Sequence, residues 1–153
     1  MHAPVIICIC TARCINRQFL VLGRIKMQKY FLVVAAINGF LVVAFGAFGA
    51  HALQALLSVE MLEVYRTAVH YQMFHTVAFV MVHALRNDAD NVKKLNLIGH
   101  QFVLGMALFC GSLYLLALSG ITKLGIITPL GGVILLAAWL QLALFCATNK
   151  RLL

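Results

Sequence analysis

Four long apolar runs, separated by short polar segments, dominate the pattern along the chain. They cover residues 30–50, 67–85, 98–118 and 126–147, and none of them contains Asp, Glu, Lys or Arg. A helix of about 20 residues crosses a hydrocarbon core of about 30 Å. Helices are expected because backbone N–H and C=O groups inside lipid must be paired within the chain. The pattern predicts an all-α fold, a four-helix transmembrane bundle.

The segment between the first two runs is amphipathic. Its apolar side chains recur at helical spacing, at Leu53, Leu56, Leu57, Met61, Val64 and Ala68. Its other side carries Gln54, Ser58, Glu63 and Thr67. This spacing predicts an interfacial amphipathic helix between the first and second spans. A cap that only packs on the bundle is the alternative.

Residues 1–26 precede the first run and lack the early basic region and cleavage site of a signal peptide. We expect an extension that is either disordered or untranslated, with translation starting at Met27, and a membrane domain over residues 27–153. Cys8, Cys10 and Cys14 lie in this extension without a matched second cysteine pair. We therefore predict no metal site there.

The composition argues against a water-soluble domain. Of the 153 residues, 63% are hydrophobic and 10% are charged, whereas soluble domains are about half apolar and about one-quarter charged. The net charge of +8 does not indicate nucleic-acid binding, because the basic residues cluster at the ends of the apolar runs without interleaved aromatic residues. The expected surroundings are the lipid bilayer.

The basic residues are distributed unevenly between the two sides of the predicted membrane. One side carries ten of them, Arg13, Arg17, Arg24, Lys26, Lys29, Arg86, Lys93, Lys94, Lys150 and Arg151. The other side carries only Arg66 and Lys123. Because cytoplasmic segments are enriched in Lys and Arg, we predict a multi-pass protein of the inner (plasma) membrane with both termini in the cytoplasm.

Polar side chains concentrate in the second run. They are His70, Tyr71, Gln72, His75 and Thr76, with His51 following the first run on the same side of the membrane. His75 and Asn38 each lie eight residues past the start of their runs, which is about 12 Å along a helix. A polar group at that depth needs a partner, so we expect a contact between His75 and Asn38, direct or through another polar group.

Three interpretations of this polar patch remain open. It is a hydrogen-bonded clamp between helices, a path for protons or a small solute through an oligomer along His51, His70 and His75, or a metal or haem site, since neutral His suits both roles. The spacing of these histidines matches no ligand motif. We therefore predict no metal ion and no other cofactor.

Small residues form a second pattern. Gly46 and Ala50 are four residues apart, as are Ala107 and Gly111. Such pairs let helix backbones approach closely in lipid. The predicted packing residues are Gly39, Gly46, Gly49, Ala50, Ala107, Gly111, Gly131 and Gly132.

Four motifs in this order resemble a known family. They are Gly46-Ala-Phe-Gly-Ala-His51, Tyr71-Gln-Met-Phe-His75-Thr76, Cys110-Gly-Ser-Leu-Tyr-Leu-Leu-Ala-Leu-Ser119 and Thr128-Pro-Leu-Gly-Gly132. The chain is similar, over about residues 27–147, to the YgdD-like family of small inner-membrane proteins, a domain-of-unknown-function family. The resemblance implies a four-helix membrane protein and brings no catalytic residues with it.

The sequence contains no nucleophile motif, phosphate loop or dinucleotide fingerprint. We therefore expect a protein that is not an enzyme and that acts as an accessory or assembly factor. Its expected partners are another membrane protein or further copies of itself.

Overall fold

The computed structural model describes residues 29–85 and 92–149, most of which are helical. Its long helices are α1 (Lys29–His51), α2 (Val59–Leu85), α3 (Val92–Ser119) and α4 (Ile127–Thr148). Short 3₁₀ turns at Leu53–Ala55 and Thr122–Ile126 lie in two of the connections. The prediction of an all-α chain is confirmed. The extension 1–26 and the connection 86–91 lie outside the described residues.

Three helical segments of the described residues are long and apolar enough to cross a membrane. They are Lys29–His51, Val92–Ser119 and Thr122–Thr148. They coincide with the first, third and fourth apolar runs, so the sequence located these candidate spans. The second run forms α2, which is equally long but more polar because it includes His70, Gln72, His75 and His83.

The connection between α1 and α2 differs from the expected interfacial helix. Leu53–Ala55 forms a 3₁₀ turn, and α2 begins at Val59. The Ser58 hydroxyl accepts a hydrogen bond from the backbone N–H of Met61 at 3.2 Å, which caps the start of α2. A separate interfacial helix is therefore not confirmed. The apolar positions that suggested an interfacial helix are divided at Ser58. Those after Ser58 belong to α2.

α2 and α3 form the centre of the helix arrangement. α1 contacts both, because its Phe45 carbonyl accepts a hydrogen bond from Tyr65 of α2 and its Phe45 ring lies 5.1 Å from the Tyr114 ring of α3. α4 packs along α3 and reaches α2 through Trp139, whose ring lies 5.3 Å from that of Phe74. The largest fully buried side chains are Phe31, Phe79, Val82, Leu95 and Phe102.

α3 and α4 come into direct backbone contact at Gly105 and Gly131. A Cβ at Gly131 would lie 2.5 Å from the backbone N of Phe109 and 2.9 Å from the carbonyl O of Gly105. A Cβ at Gly105 would lie 2.8 Å from the Leu135 side chain. The crossing therefore has no room for side chains at these positions. Close contact of this kind matters in lipid, where apolar burial gives little attraction between helices.

The predicted packing residues of α1 take different positions. Gly49 lies against Tyr65, and a Cβ at Gly49 would be 2.8 Å from that ring. A Cβ at Gly46 would make an ordinary contact with α2, at 3.8 Å from the Val69 side chain. Around Gly39 no described atom lies within 4 Å of the Cβ position, and Ala50 is exposed.

The predicted packing pair of α3 does not form the contact with α4. Ala107 is exposed, and no described atom lies within 4 Å of the Cβ position of Gly111. The glycine of α3 that contacts α4 is instead Gly105, which lies on the side of α3 that faces α4. Of the two predicted glycines of α4, Gly131 makes the backbone contact, and a Cβ at Gly132 would lie 3.6 Å from the ring of Phe109.

Large apolar side chains cover the outer surface of the helices. Phe40 and Val43 of α1 are each 73% exposed, and Leu136 of α4 is 71% exposed. A monomer in water rarely exposes contiguous apolar surface of this extent, whereas acyl chains can cover it. The outer surface is therefore consistent with a membrane environment.

We predict that Gly131→Ala destabilises the protein, because the new methyl group must push the α3 and α4 backbones apart. Overpacking of this kind costs about 1–3 kcal/mol. The matched control is Gly111→Ala, which adds the same methyl group where no described atom is near and should be neutral or slightly stabilising. The measurement is the thermal unfolding midpoint of both variants in one detergent. Equal midpoints for the two variants would contradict the close crossing.

Candidate functional site

A chain of side-chain hydrogen bonds connects the three helices α1, α2 and α3. The Tyr114 hydroxyl donates to Gln72 Oε1 at 2.7 Å. Gln72 Nε2 donates to Asn38 Oδ1 at 3.1 Å. Asn38 Nδ2 donates to the carbonyl of Val34, one turn earlier in α1, at 2.9 Å. We call Asn38, Gln72 and Tyr114 the polar chain.

Helical periodicity places the polar chain inside the molecule. The buried residues of α2 include Tyr65, Ala68, Gln72, His75 and Phe79, at intervals of three and four residues. Gln72 and His75 therefore lie on the same inward stripe as the apolar core residues. Gln72 is 4% exposed, and both ends of its amide are bonded. Paired in this way, the amide avoids the cost of an unbonded polar group in an apolar interior.

Asn38 occupies the equivalent stripe of α1, which buries Phe31 and Ala35 and leaves Asn38 9% exposed. Its partner is Gln72 and not the expected His75. Gln72 lies about one turn before His75 in α2. The need of Asn38 for a partner in α2 was inferred from its depth. The identity of that partner depends on the rotation of α2, which depth does not determine.

His75 is buried and surrounded by aromatic rings. Its Nδ1 lies 2.7 Å from the carbonyl O of Tyr71. In the neutral ring this contact makes Nδ1–H the donor. The ring centroids of Phe74, Phe102 and Trp139 lie 5.3, 6.2 and 6.2 Å from that of His75. His75 is therefore held by its own helix and by ring packing, and not by the polar chain.

Of the remaining residues of the predicted polar patch, Tyr71 contacts His75, and the others do not converge on it. His51 and His70 are exposed. Tyr71 is 45% exposed and stacks on His75 at 6.1 Å. The Thr76 hydroxyl donates to the Gln72 carbonyl at 2.7 Å. Within the described ranges 29–85 and 92–149, no group of three or more His, Cys, Asp or Glu side chains could hold a metal ion.

Tyr114 is the member of the polar chain that sequence reasoning missed. Its signal was a tyrosine within the apolar run of α3, in the motif that begins at Cys110. An aromatic residue in such a run is expected to serve packing alone. The Tyr114 ring does pack, with its centroid 5.1 Å from the ring centroids of Phe45 and Tyr65. Its hydroxyl completes the polar chain as well.

Two further hydrogen bonds connect helices that are neighbours in the chain. The Tyr65 hydroxyl of α2 donates to the Phe45 carbonyl of α1 at 3.0 Å. The hydroxyls of Ser112 in α3 and Thr128 in α4 are 2.7 Å apart, and Ser112 also donates to the Phe109 carbonyl at 3.0 Å. With the polar chain, these bonds join α1 to α2, α2 to α3, and α3 to α4. The arrangement is a set of interhelical clamps that fixes how the four helices meet.

We predict that Gln72→Leu and Tyr114→Phe are coupled, because each removes a partner of the same hydrogen bond. A double-mutant cycle should give a coupling of about 0.6 kcal/mol, the average for interhelical hydrogen bonds in membranes, and at most about 1.7 kcal/mol. The control cycle uses Tyr71→Phe in place of Tyr114→Phe, because the Tyr71 hydroxyl bonds no described residue. In that cycle the losses of stability from the two substitutions should be additive. The free energy of unfolding in mixed micelles provides the measurement. Additive losses in both cycles would mean that the hydrogen bond between Tyr114 and Gln72 does not stabilise the bundle.

Comparison with known proteins places these features in a family. Residues 45–132 match the family described as "Protein of unknown function (DUF423)". This range includes Gln72, Tyr114 and the close contact of Gly105 with Gly131. No solved structure matches the chain significantly.

Relatives named as membrane proteins cover most of the chain. It is 37% identical over 115 residues to the UPF0382 membrane protein YwdK of Bacillus subtilis, which covers 75% of this chain and 94% of the relative. The chain is 40% identical over 126 residues to a UPF0382 membrane protein of Haemophilus influenzae, and the match covers 82% of this chain and 100% of the relative. The chain is 36% identical over 124 residues to the UPF0382 inner membrane protein YgdD of Escherichia coli, and the match covers 81% of this chain and 94% of the relative. The chain thus belongs to the DUF423 family and is an integral membrane protein.

Proposed function

We propose that all four helices cross the membrane, including α2. α2 buries Gln72 and His75 and exposes the apolar side chains of Phe74, Val77 and Val80, by 57%, 56% and 48%. This is the reverse of a helix in a water-soluble protein, which turns its polar side outward. Its 27 residues correspond to about 40 Å, more than the hydrocarbon core requires. The charged first turns of α2 would then lie in the interface.

The proposed orientation places both termini in the cytoplasm. Lys29, Lys93 and Lys94 stand at one end of the described helices, where the sequence adds further basic residues before α1, between α2 and α3, and after α4. Arg66 stands at the opposite end, in an ion pair of 2.8 Å with Glu63. The excess of basic residues on one side supports this orientation by the positive-inside rule.

Epitope tags inserted into the full-length chain would test the number of spans and the orientation together. We expect tags after residues 57 and 121 to be accessible from outside the cell, and tags after residue 89 and at the C-terminus to require permeabilised cells. If α2 does not cross, the tags after residues 57 and 89 will report the same side. That result would refute the four-span proposal.

We further propose that the protein is not an enzyme and acts as an accessory or assembly factor for another membrane protein. The observation that carries this proposal is the outward side of α1. Four small residues lie on one side of that helix together with Val43, at intervals of three and four residues; they are Ala36, Gly39, Ala47 and Ala50. We call this the open face of α1. No described atom lies within 4 Å of the Cβ position of Gly39.

A glycine inside a helix costs about 0.5–1 kcal/mol relative to alanine. Within the chain this cost is offset at Gly131 by the close backbone contact, but Gly39 has no such contact among the described residues. Small residues on an outward helix face permit close approach of a second helix in the bilayer. A transmembrane helix of a partner protein therefore fits the open face of α1 best.

The structure does not support the two alternatives that rest on the histidines. A path for protons or a small solute, and equally a metal or haem site, required His51, His70 and His75 to come together. The first two are exposed and the third is buried among aromatic rings. Neither alternative is proposed.

We predict that Gly39→Leu abolishes partner binding without unfolding the protein, because the new side chain occupies the open face and its Cβ has no described atom within 4 Å. The control is Gly111→Leu, which adds the same side chain at an equally open position of α3. Affinity purification from membranes in mild detergent, with quantitative mass spectrometry, should show one stoichiometric partner that falls at least about tenfold in Gly39→Leu only, an energy of about 1.4 kcal/mol or more. Wild-type protein recovered without a stoichiometric partner would contradict the proposal, as would equal losses in both variants.

A further inference from the structure

A groove runs between the start of α3 and the end of α4. Its volume is about 690 Å³, and the side chains that line it include Lys94, Leu97, Gln141, Leu144 and Thr148. Leu97 and Leu144 are 57% and 56% exposed, so the groove opens toward the surroundings of the helices. It is separate from the polar chain and from the open face of α1.

The groove is polar at its rim and apolar directly below it, and Gln141 adds one polar side chain about 10 Å from the rim. Lys94 lies in the first turn of α3, and Thr148 is the last residue of α4. Leu97 and Leu144 follow about 5 and 6 Å further into the helices at 1.5 Å per residue. The polar rim therefore lies at the end of the bundle, where a lipid head group would be, and the apolar part lies beside the acyl chains. A molecule with a polar head and an apolar tail matches this order.

The charge at the rim favours an anion. Lys94 contributes a full positive charge, and the N-terminus of α3 adds a partial one. The C-terminus of α4 brings a partial negative charge, but its last turn is partly capped, since the Asn149 N–H donates to the Phe145 carbonyl at 3.1 Å. A full charge outweighs the partial charge of a helix end of about one half. Basic pockets between membrane helices are suited to anionic head groups.

We propose that this groove binds an anionic phospholipid, with its phosphate at Lys94 and an acyl chain along Leu97 and Leu144. The inference rests on the membrane location of α3 and α4. It does not depend on whether α2 crosses, on which side the termini lie, or on a protein partner. Its failure would therefore leave the tag and purification experiments unaffected, and their failure would leave this site in place.

Native mass spectrometry of the full-length protein, titrated with phosphatidylglycerol or phosphatidylcholine, tests the site. We expect phosphatidylglycerol to bind more tightly to the wild type. Lys94→Gln should weaken that binding about fivefold, the effect of one lysine charge near an anionic surface. The matched control is Lys93→Gln, the preceding residue, which is also exposed but is not among the residues that line the groove. Phosphatidylglycerol binding by this variant should change by less than about twofold.

A second variant separates the groove from general electrostatic attraction. Leu144→Trp fills the apolar part without changing any charge, and it should also reduce phosphatidylglycerol binding while the protein still elutes as a single species. Equal losses in Lys93→Gln and Lys94→Gln would overturn the proposal, because they would indicate diffuse attraction to the basic end of the bundle. Unchanged binding in Leu144→Trp, or equal affinity for the two lipids, would overturn it as well.

Discussion

A polar side chain buried among apolar ones must find its hydrogen-bond partner within the protein, and this constraint sets how α1, α2 and α3 meet. Gln72 has one amide and two polar neighbours, Asn38 and Tyr114, on two different helices. A rotation of α2 by one residue would separate Gln72 from both. The bonds of the polar chain therefore constrain the rotation of α2 about its axis.

The contact between α3 and α4 rests on a different principle. Gly105 and Gly131 bring two backbones together, and the nearby hydroxyls of Ser112 and Thr128 add a bond at 2.7 Å. The connection between these helices is short, with one 3₁₀ turn at Thr122–Ile126. α3 therefore joins the two halves of the molecule, holding α4 by close packing and α2 by the polar chain.

The sequence predicted the helices because hydrophobicity and length are local properties. The first three apolar runs lie within α1, α2 and α3, and the fourth begins one residue before α4. The main differences are that α2 and α3 begin eight and six residues earlier than their runs, α2 at the Ser58 cap. The candidate site was predicted less completely. Depth indicated that Asn38 needs a partner, but the choice of Gln72 over His75 depends on rotation. His70 and His75 are five residues apart, about 140° around a helix, so they face different surroundings.

The packing glycines show the same limit. A spacing of four residues identifies two small residues on one side of a helix, as for Ala107 and Gly111, but it does not tell which side meets a neighbour. The glycine that meets α4 is Gly105, and its partner Gly131 becomes evident only when the two helices are placed together. Tyr114 was missed for a related reason, since its ring and its hydroxyl have separate partners.

The chemical character of the polar chain has a consequence for a protein in an energised membrane. A transmembrane potential acts on charges, with about 2.3 kcal/mol for each elementary charge moved through 100 mV. Amide and phenol groups carry no formal charge, so the potential exerts no net force on the side chains of Asn38, Gln72 and Tyr114. The bonds that hold α1, α2 and α3 together should therefore be equally strong in a resting and in a fully energised cell.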